Sequence, residues 1–199
     1  VKDGFGDHAL FVTKLQLLGR HTWTVVDVRA AESDDAGLLH RLAAATFALA
    51  CPPHTALQAI EDFIATTLSE ASFAAYLADP ERLLFLAEDD GVAAGYTMIV
   101  FGEPKDAEAA AAVTVRPTAE LSKFYVLEGH HGLGIAPALM GRSLEAARER
   151  GARGIWLGVN QENERANRFY EKQGFEKVGT KHFLVGERYE DDFVRERAL

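Results

Sequence analysis

The chain holds 199 residues with a formal net charge of −9, 48% hydrophobic residues and one cysteine. A chain of this length buries roughly 70% of its unfolded surface in one core, so it needs no disulfide, and Cys51 alone excludes an internal one. The acidic balance argues against nucleic acid, which draws affinity from basic faces; no apolar run reaches the roughly 18 residues of a membrane span, and 1–20 lacks the sections of a signal peptide.

Residues 1–21 have no clear period and are expected to form an N-terminal extension, disordered or otherwise outside a domain assigned to 22–199. Trp23 opens an alternating, β-branched stretch over 23–29 that predicts the first strand. Asp34 or Asp35 is placed to cap a helix carrying Leu38, Leu39, Leu42, Ala45 and Thr46, which Pro52 and Pro53 then end. Residues 55–78 predict one broken helix or two, with Ile60, Phe63, Ile64 and Leu68 on one face. A hairpin follows, 82–88 and 92–101, joined by Asp89-Asp90-Gly91, a sequence suited to tight reversals. The connection 102–118 is long and rich in alanine and charge. It is expected to be an exposed loop with a helical turn over 107–112, a lid beside a binding site being the alternative.

The strand predicted over 119–127 runs through a glycine-rich turn into a helix over 135–150, whose apolar stripe is Ala136, Met140, Leu144 and Ala147 and whose first turn accepts Pro137. Such a turn is an anion cradle: glycines let the backbone approach a phosphate, and the first helical N–H groups point at its charge. A dinucleotide, a mononucleotide or coenzyme A are all compatible with that description. No GxxxxGK[ST] string exists for a mononucleotide, and the dinucleotide fingerprint on Gly132 and Gly134 meets Pro137 where Gly or Ala is required. A buried strand over 154–159 comes next, then a helix started by Asn160 or Asn163 that buries Ala166, Phe169 and Tyr170 and stops at Gly174. Two closing strands, 176–185 and 189–197, flank Gly186.

The run His131-Gly132-Leu133-Gly134-Ile135-Ala136 resembles the Q/R-x-x-G-x-G/A motif of the GNAT superfamily, the Gcn5-related N-acetyltransferases, with His131 where Gln or Arg is usual. Asn163, Ala166, Tyr170, Gly174 and Phe175 match the N-x-x-A-x-x-x-Y-x-x-x-G-F segment of the same superfamily, and the similarity extends from about Trp23 to the C-terminus. The resemblance implies an α/β (α+β) GNAT fold, a mixed central sheet of about six to seven strands flanked by about four helices. It also implies acetyl-CoA as cosubstrate, held by Phe124, Tyr125, Val126, His131, Gly132, Leu133, Gly134, Ile135, Ala136, Pro137 and Asn163. Tyr170 is then the general acid for the departing thiolate, since a phenol is protonated at neutral pH. The acceptor is a primary amine on a small molecule; no metal, membrane or nucleic acid takes part, and a homodimer and a cytoplasmic location are expected.

The general base is left open. A carboxylate on the strand after the helix serves in some relatives, but Gly158 stands there, leaving Glu88, Glu103, Glu128, Asp192 or a water chain. His130 and His131 have no third metal ligand nearby and read as a phosphate contact or as exposed side chains. Cys51 reads as a buried, inert thiol. The stretches Ile155-Trp156-Leu157-Gly158-Val159, Phe169-Tyr170-Glu171-Lys172 and Gly186-Glu187-Arg188-Tyr189-Glu190-Asp191-Asp192 look like the PaiA-like polyamine acetyltransferases, which suggests spermidine or spermine, with Glu61, Asp62 and Asp192 receiving ammonium groups. A protein amine as acceptor and a non-catalytic acetyl-CoA sensor are the alternatives.

Overall fold

The computed structural model describes residues 26–199; the expected extension and the start of the first strand lie outside the described residues. Strand β1 (Val26–Ala30) leads through a short 3₁₀ turn (Ser33–Asp35) into helix α1 (Ala36–Ala50). Asp35 stands at the N-cap of α1 but makes no capping bond to it. Its carboxylate instead accepts from Glu32 N at 2.8 Å and pairs with Arg29 at 2.7 Å, tying the turn to β1. The helical pattern over 55–78 divides into α2 (Leu57–Thr66) and α3 (Glu70–Ala78), with Leu68 buried between them and Ser69 capping α3 through Ser72 N.

Strands β2 (Arg82–Asp89) and β3 (Val92–Phe101) form the expected hairpin, turning at Asp90 and Gly91, both with positive φ. Helix α4 (Ala107–Ala112) falls where the helical turn was expected. The connection around it is largely exposed, as expected, but it is anchored to the sheet and does not hang free as a lid. Glu196 accepts from Thr114 N, Thr114 Oγ1 and Val115 N at 2.7–2.9 Å, and Ala109 and Val113 bury against Trp156 and Val194.

Strand β4 (Thr118–Val126), helix α5 (Ile135–Glu149) and strand β5 (Gly154–Asn160) form a crossover unit, followed by α6 (Glu164–Lys172) and the hairpin β6 (Glu176–Val185) and β7 (Arg188–Ala198). The seven strands make one mixed sheet in the order β1-β2-β3-β4-β5-β7-β6. Among the described strands only β4 and β5 run parallel, as a helical crossover requires. The six helices among the described residues are two more than expected, from the division of 55–78 and from α4.

Helix α5 packs on one sheet face through Ile135, Leu139, Met140, Leu144 and Ala147, so its buried stripe is centred nearer Leu139 than expected and leaves Ala136 only half-buried. Helices α1 to α3 cover the opposite face over β2 to β4, where Leu39, Phe73 and Tyr96 are fully buried. Helix α4 covers that same face over β5 to β7. No described helix is long and apolar enough to cross a membrane.

Candidate active site

The two parallel strands pair at only three positions, Thr118 with Gly154, Ala119 with Ile155 and Glu120 with Trp156. Beyond them the strands have no ladder in common, so the β4 backbone from Lys123 to Val126 lacks a strand partner on its β5 side. A bulge contributes to the parting: Met98 pairs with Lys123 and Ile99 with Leu121, leaving Ser122 as an extra residue in β4. Backbone amides in such a split need partners, and an extended amide-bearing chain is the ligand shape that supplies them.

The glycine turn lies at the open end of the split. Gly129, Gly132 and Gly134 have φ of 84°, 87° and 89°, and Gly134 is the N-cap of α5. A Cβ on Gly132 or Gly134 would meet no heavy atom within 4 Å, so the left-handed backbone, not crowding, is what selects glycine. No side chain caps α5, whose first ladder bond runs from Ala138 N to Gly134 O at 3.0 Å. The N–H groups of Ile135 and Ala136 therefore precede the ladder at the positive end of the helix dipole. Pro137 occupies the first turn, exposed, where a missing N–H breaks no helical bond.

Beside this turn an open cleft of about 340 Å³ lies between the end of α1, at Ala50, Cys51 and Pro52, and the start of α6, at Asn163, Glu164 and Arg165. His131, Glu128 and Asn160 complete its wall. His131 is exposed; the little desolvation it has, and then the charge of Arg165, hold its imidazole below the ordinary range. Arg165 brings to this wall a permanent cation that the motif does not include. Asn163, not Asn160, caps α6: its Oδ1 accepts from Ala166 N at 3.0 Å, while Asn160 Oδ1 accepts from Glu162 N.

Tyr170 is 8% exposed, with its ring against Phe124 at 6.2 Å, Phe169 at 5.6 Å and Phe175 at 5.8 Å. Phe124 stacks on Phe169 at 5.6 Å. Burial, and to a smaller extent the neighbouring Tyr125, pushes the Tyr170 phenol upward, so it stays protonated throughout the physiological range. Tyr125 points to the opposite face, stacked on Tyr96 at 5.5 Å. Its own phenol is raised by burial and then by the charges of Cys51 and Asp192.

On the face carrying α1 to α4, strand alternation sets Glu120, Lys123 and Tyr125 of β4 beside Trp156, Gly158 and Asn160 of β5, Asp192 of β7 and Lys181 of β6. This floor is polar and charged between two apolar patches. Burial lowers Lys123 to about 8, Glu120 opposing the shift, and burial raises Glu120. Gly158 is exposed, and a Cβ there would stand 3.2 Å from Asp192 Oδ2 and 2.9 Å from Lys181 Cε. Burial raises Asp192 to about 6, Lys181 opposing and Glu190 and Asp191 assisting.

The other candidate bases stand elsewhere. Glu88 pairs with Arg29 at 3.0 Å on the β1 side, Glu103 pairs with Arg116 at 2.6 Å, and Glu128 is exposed in the turn. Glu61 and Asp62 lie exposed on α2, Asp62 accepting from Gln58. Cys51 is half-buried, its thiol pushed up to about 11 by burial, which fits an inert side chain. Sequence reasoning missed Asn167. Buried on α6, it donates to the carbonyls of Asn160 and Asn163, both at 3.0 Å, and accepts from Arg195 Nε at 2.9 Å. Its spacing of four from Asn163 was the available signal. Among the described residues no cluster of three His, Cys, Asp or Glu side chains is arranged around a metal position.

A mixed sheet that parts between its two parallel strands, crossed over by a helix rising from a glycine cradle, is the architecture of the acyl-CoA N-acyltransferases. The model of the Acetyltransferase (GNAT) family matches residues 44–175, and the chain belongs to that family of acetyl-CoA-dependent N-acetyltransferases. An uncharacterized N-acetyltransferase of Mycobacterium tuberculosis (strain ATCC 25618 / H37Rv) is 46% identical over 165 residues, 83% of this chain and 98% of that protein. The PaiA N-acetyltransferase of Thermoplasma acidophilum, solved in complex with coenzyme A, aligns with a TM-score of 0.71 at 18% identity, covering 88% of this chain and 99% of that one. NAA60 of Arabidopsis thaliana, solved with a bisubstrate analogue, aligns at 0.66 with 16% identity over 87% of this chain and 98% of that one. At such identities the two structures are likenesses of fold.

Proposed function

We propose that the protein moves the acetyl group of acetyl-CoA onto a primary amine of a small molecule by direct attack. The observation that carries this reading is the split between β4 and β5, which has an uncapped helix N-terminus at its open end and a buried, protonated phenol beside it. The cradle fits a diphosphate: its glycines face open space, and Ile135 and Ala136 present N–H groups ahead of the helical ladder. Gly132 to Ala136 would hold the diphosphate, with His131 and Arg165 at the cleft wall beside it, and Asn163 has its amide nitrogen available once Oδ1 has capped α6. The unpaired β4 backbone through Phe124, Tyr125 and Val126 is suited to an extended pantetheine arm, and an N–H there polarises the thioester carbonyl. Tyr170 donates its hydrogen bond, and finally its proton, to the sulfur as thiolate charge develops.

A small acceptor is favoured over an extended peptide because α2 meets the β6–β7 hairpin across the acceptor side. Phe63 lies 5.8 Å from Phe183, and a Cβ on Gly186 would stand 2.8 Å from that of Ala59. The carboxylate of Asp192 on that side favours an acceptor with ammonium groups, polyamines among them. The test is thiol release from acetyl-CoA across a panel of polyamines, amino acids, arylamines and N-terminal peptides. Stimulation by a small amine and not by peptides is expected; peptide-only turnover would move the assignment to a protein acceptor, and cofactor binding without release to a sensor. Tyr170→Phe should lower kcat about 10²-fold with acetyl-CoA affinity unchanged, and unaltered kcat would remove the phenol from the chemistry.

A further inference from the structure

We propose that Asp192, reaching from β7 over the side-chain-free Gly158 of β5, is the general base that takes the proton from the attacking amine. The inference rests on the acetyl-transfer reading and concerns the step for which that reading names no residue. Four observations converge on it. Gly158 is the second residue of β5 beyond its last pair with β4, so it lies where the strands have parted. It is exposed on the side facing α1 to α4, and the space its own side chain would fill is bordered by Asp192 Oδ2, 3.2 Å from an ideal Cβ. Asp192 pairs in register with Asn160 at the end of β5, which fixes the backbone from which the carboxylate projects. Finally, Asp192 lies near enough to β4 for its charge to raise the Tyr125 phenol, after burial and Cys51.

The charged surroundings are consistent with a base. Lys181 of β6 stands over the same glycine, its Cε 2.9 Å from the ideal Cβ, and its ammonium lies 3.6 Å from Asp106 at the start of α4. Glu190 and Asp191 flank Asp192 on β7, Glu190 meeting His54 at 3.1 Å and Arg188 at 3.6 Å. From β4 come the Tyr125 phenol and Glu120, the latter also within the field of Lys181. Burial dominates this balance and leaves Asp192 a stronger base than a surface carboxylate, still ionised at pH 7.

The steps balance without a further reagent. The acceptor ammonium breaks one N–H bond and Asp192 gains the proton, which it later releases to water. The neutral amine then forms the C–N bond to the acetyl carbon while the C–S bond breaks, the sulfur taking the Tyr170 proton. The nitrogen's surplus proton returns to the phenolate, giving amide, free thiol and regenerated enzyme.

The experiment is the pH dependence of kcat/KM for the full chain with an amine that the panel identifies. Wild type should show an acidic limb near the Asp192 value. Asp192→Asn should lose that limb and about 10²-fold or more of kcat at neutral pH, with acetyl-CoA affinity unchanged. Lys181→Met, which leaves Asp192 in place, should move the limb to higher pH because the opposing positive charge is gone. Gly158→Glu in the Asp192→Asn background should return part of the lost rate by placing a carboxylate in the same space from the facing strand. An acidic limb that survives Asp192→Asn, or stays in place in Lys181→Met, overturns the assignment while leaving acetyl transfer intact. A wild type that binds acetyl-CoA yet acetylates no amine overturns both.

Discussion

Asp192 holds its charge at a cost to the folded state. Its carboxyl is raised from an ordinary 3.8 to about 6, chiefly by burial, so the native chain binds this proton more tightly than the unfolded one. The contribution to stability is therefore fully present below about pH 4 and is lost as pH rises through 6. At pH 8 the penalty is on the order of 3 kcal/mol, with the opposing charge of Lys181 already included. Asp192→Asn is accordingly expected to be more stable than wild type toward urea at pH 8, the gap closing toward pH 4; a gap that is constant across that range would show that the native carboxyl titrates normally. At this scale the sequence made Gly158 legible only as a missing carboxylate and Asp192 as one acid among four. Selecting among those acids required knowing that β7, not β6, lies beside β5, since adjacency in a sheet is not a property of chain order.

Among the elements, α6 shows how one polar side chain organises a wall of the cleft. Asn167 holds the carbonyls of Asn160 and Asn163, which keeps the end of β5 against the start of α6, and it accepts from the buried Arg195 on β7. Arg195 is further held by Glu171 at 2.7 Å and by the Phe175 carbonyl at 3.4 Å. Replacing Asn167 with alanine leaves the buried Arg195 Nε–H without its acceptor, while the carbonyls of Asn160 and Asn163 keep their backbone donors, and is expected to cost about 1–3 kcal/mol. The same change should weaken acetyl-CoA binding, because Asn163 and Arg165 at the cleft are positioned by that turn. Urea denaturation and calorimetric titration check the two halves; a stability loss with unchanged affinity would separate the turn from the cofactor. That α6 starts at Asn160 or Asn163 and stops at Gly174 was readable from its spacing, as was α4 on a largely exposed connection, but which asparagine caps α6 was not. The buried contact of α4, through Ala109, is with Trp156 and Val194 on strands far along the chain, so that contact could not be read locally.

For the molecule as a whole, a sheet with a parted centre leaves backbone groups that a ligand can satisfy, so the bound state should be measurably stiffer. Acetyl-CoA at about 100 times its Kd stabilises a single-site protein by about 2.7 kcal/mol, which for a chain of this size raises Tm by about 5–10 °C. A thermal-shift titration measures it, and Gly134→Ala, which forces a side chain onto the left-handed N-cap, should diminish the gain. No shift at saturating acetyl-CoA would count against the cleft as the carrier's site. By itself the sequence determined the crossover unit, the glycine turn and the apolar faces of the helices around it, because each rests on near neighbours in the chain: a turn that needs positive φ, an apolar face with a fixed period. The tertiary structure alone decided where β4 and β5 stop pairing, which face receives the charged residues, and that Asp192 stands over Gly158. Those outcomes depend on strands distant in sequence meeting in one register, and no local pattern encodes which distant strand becomes the neighbour.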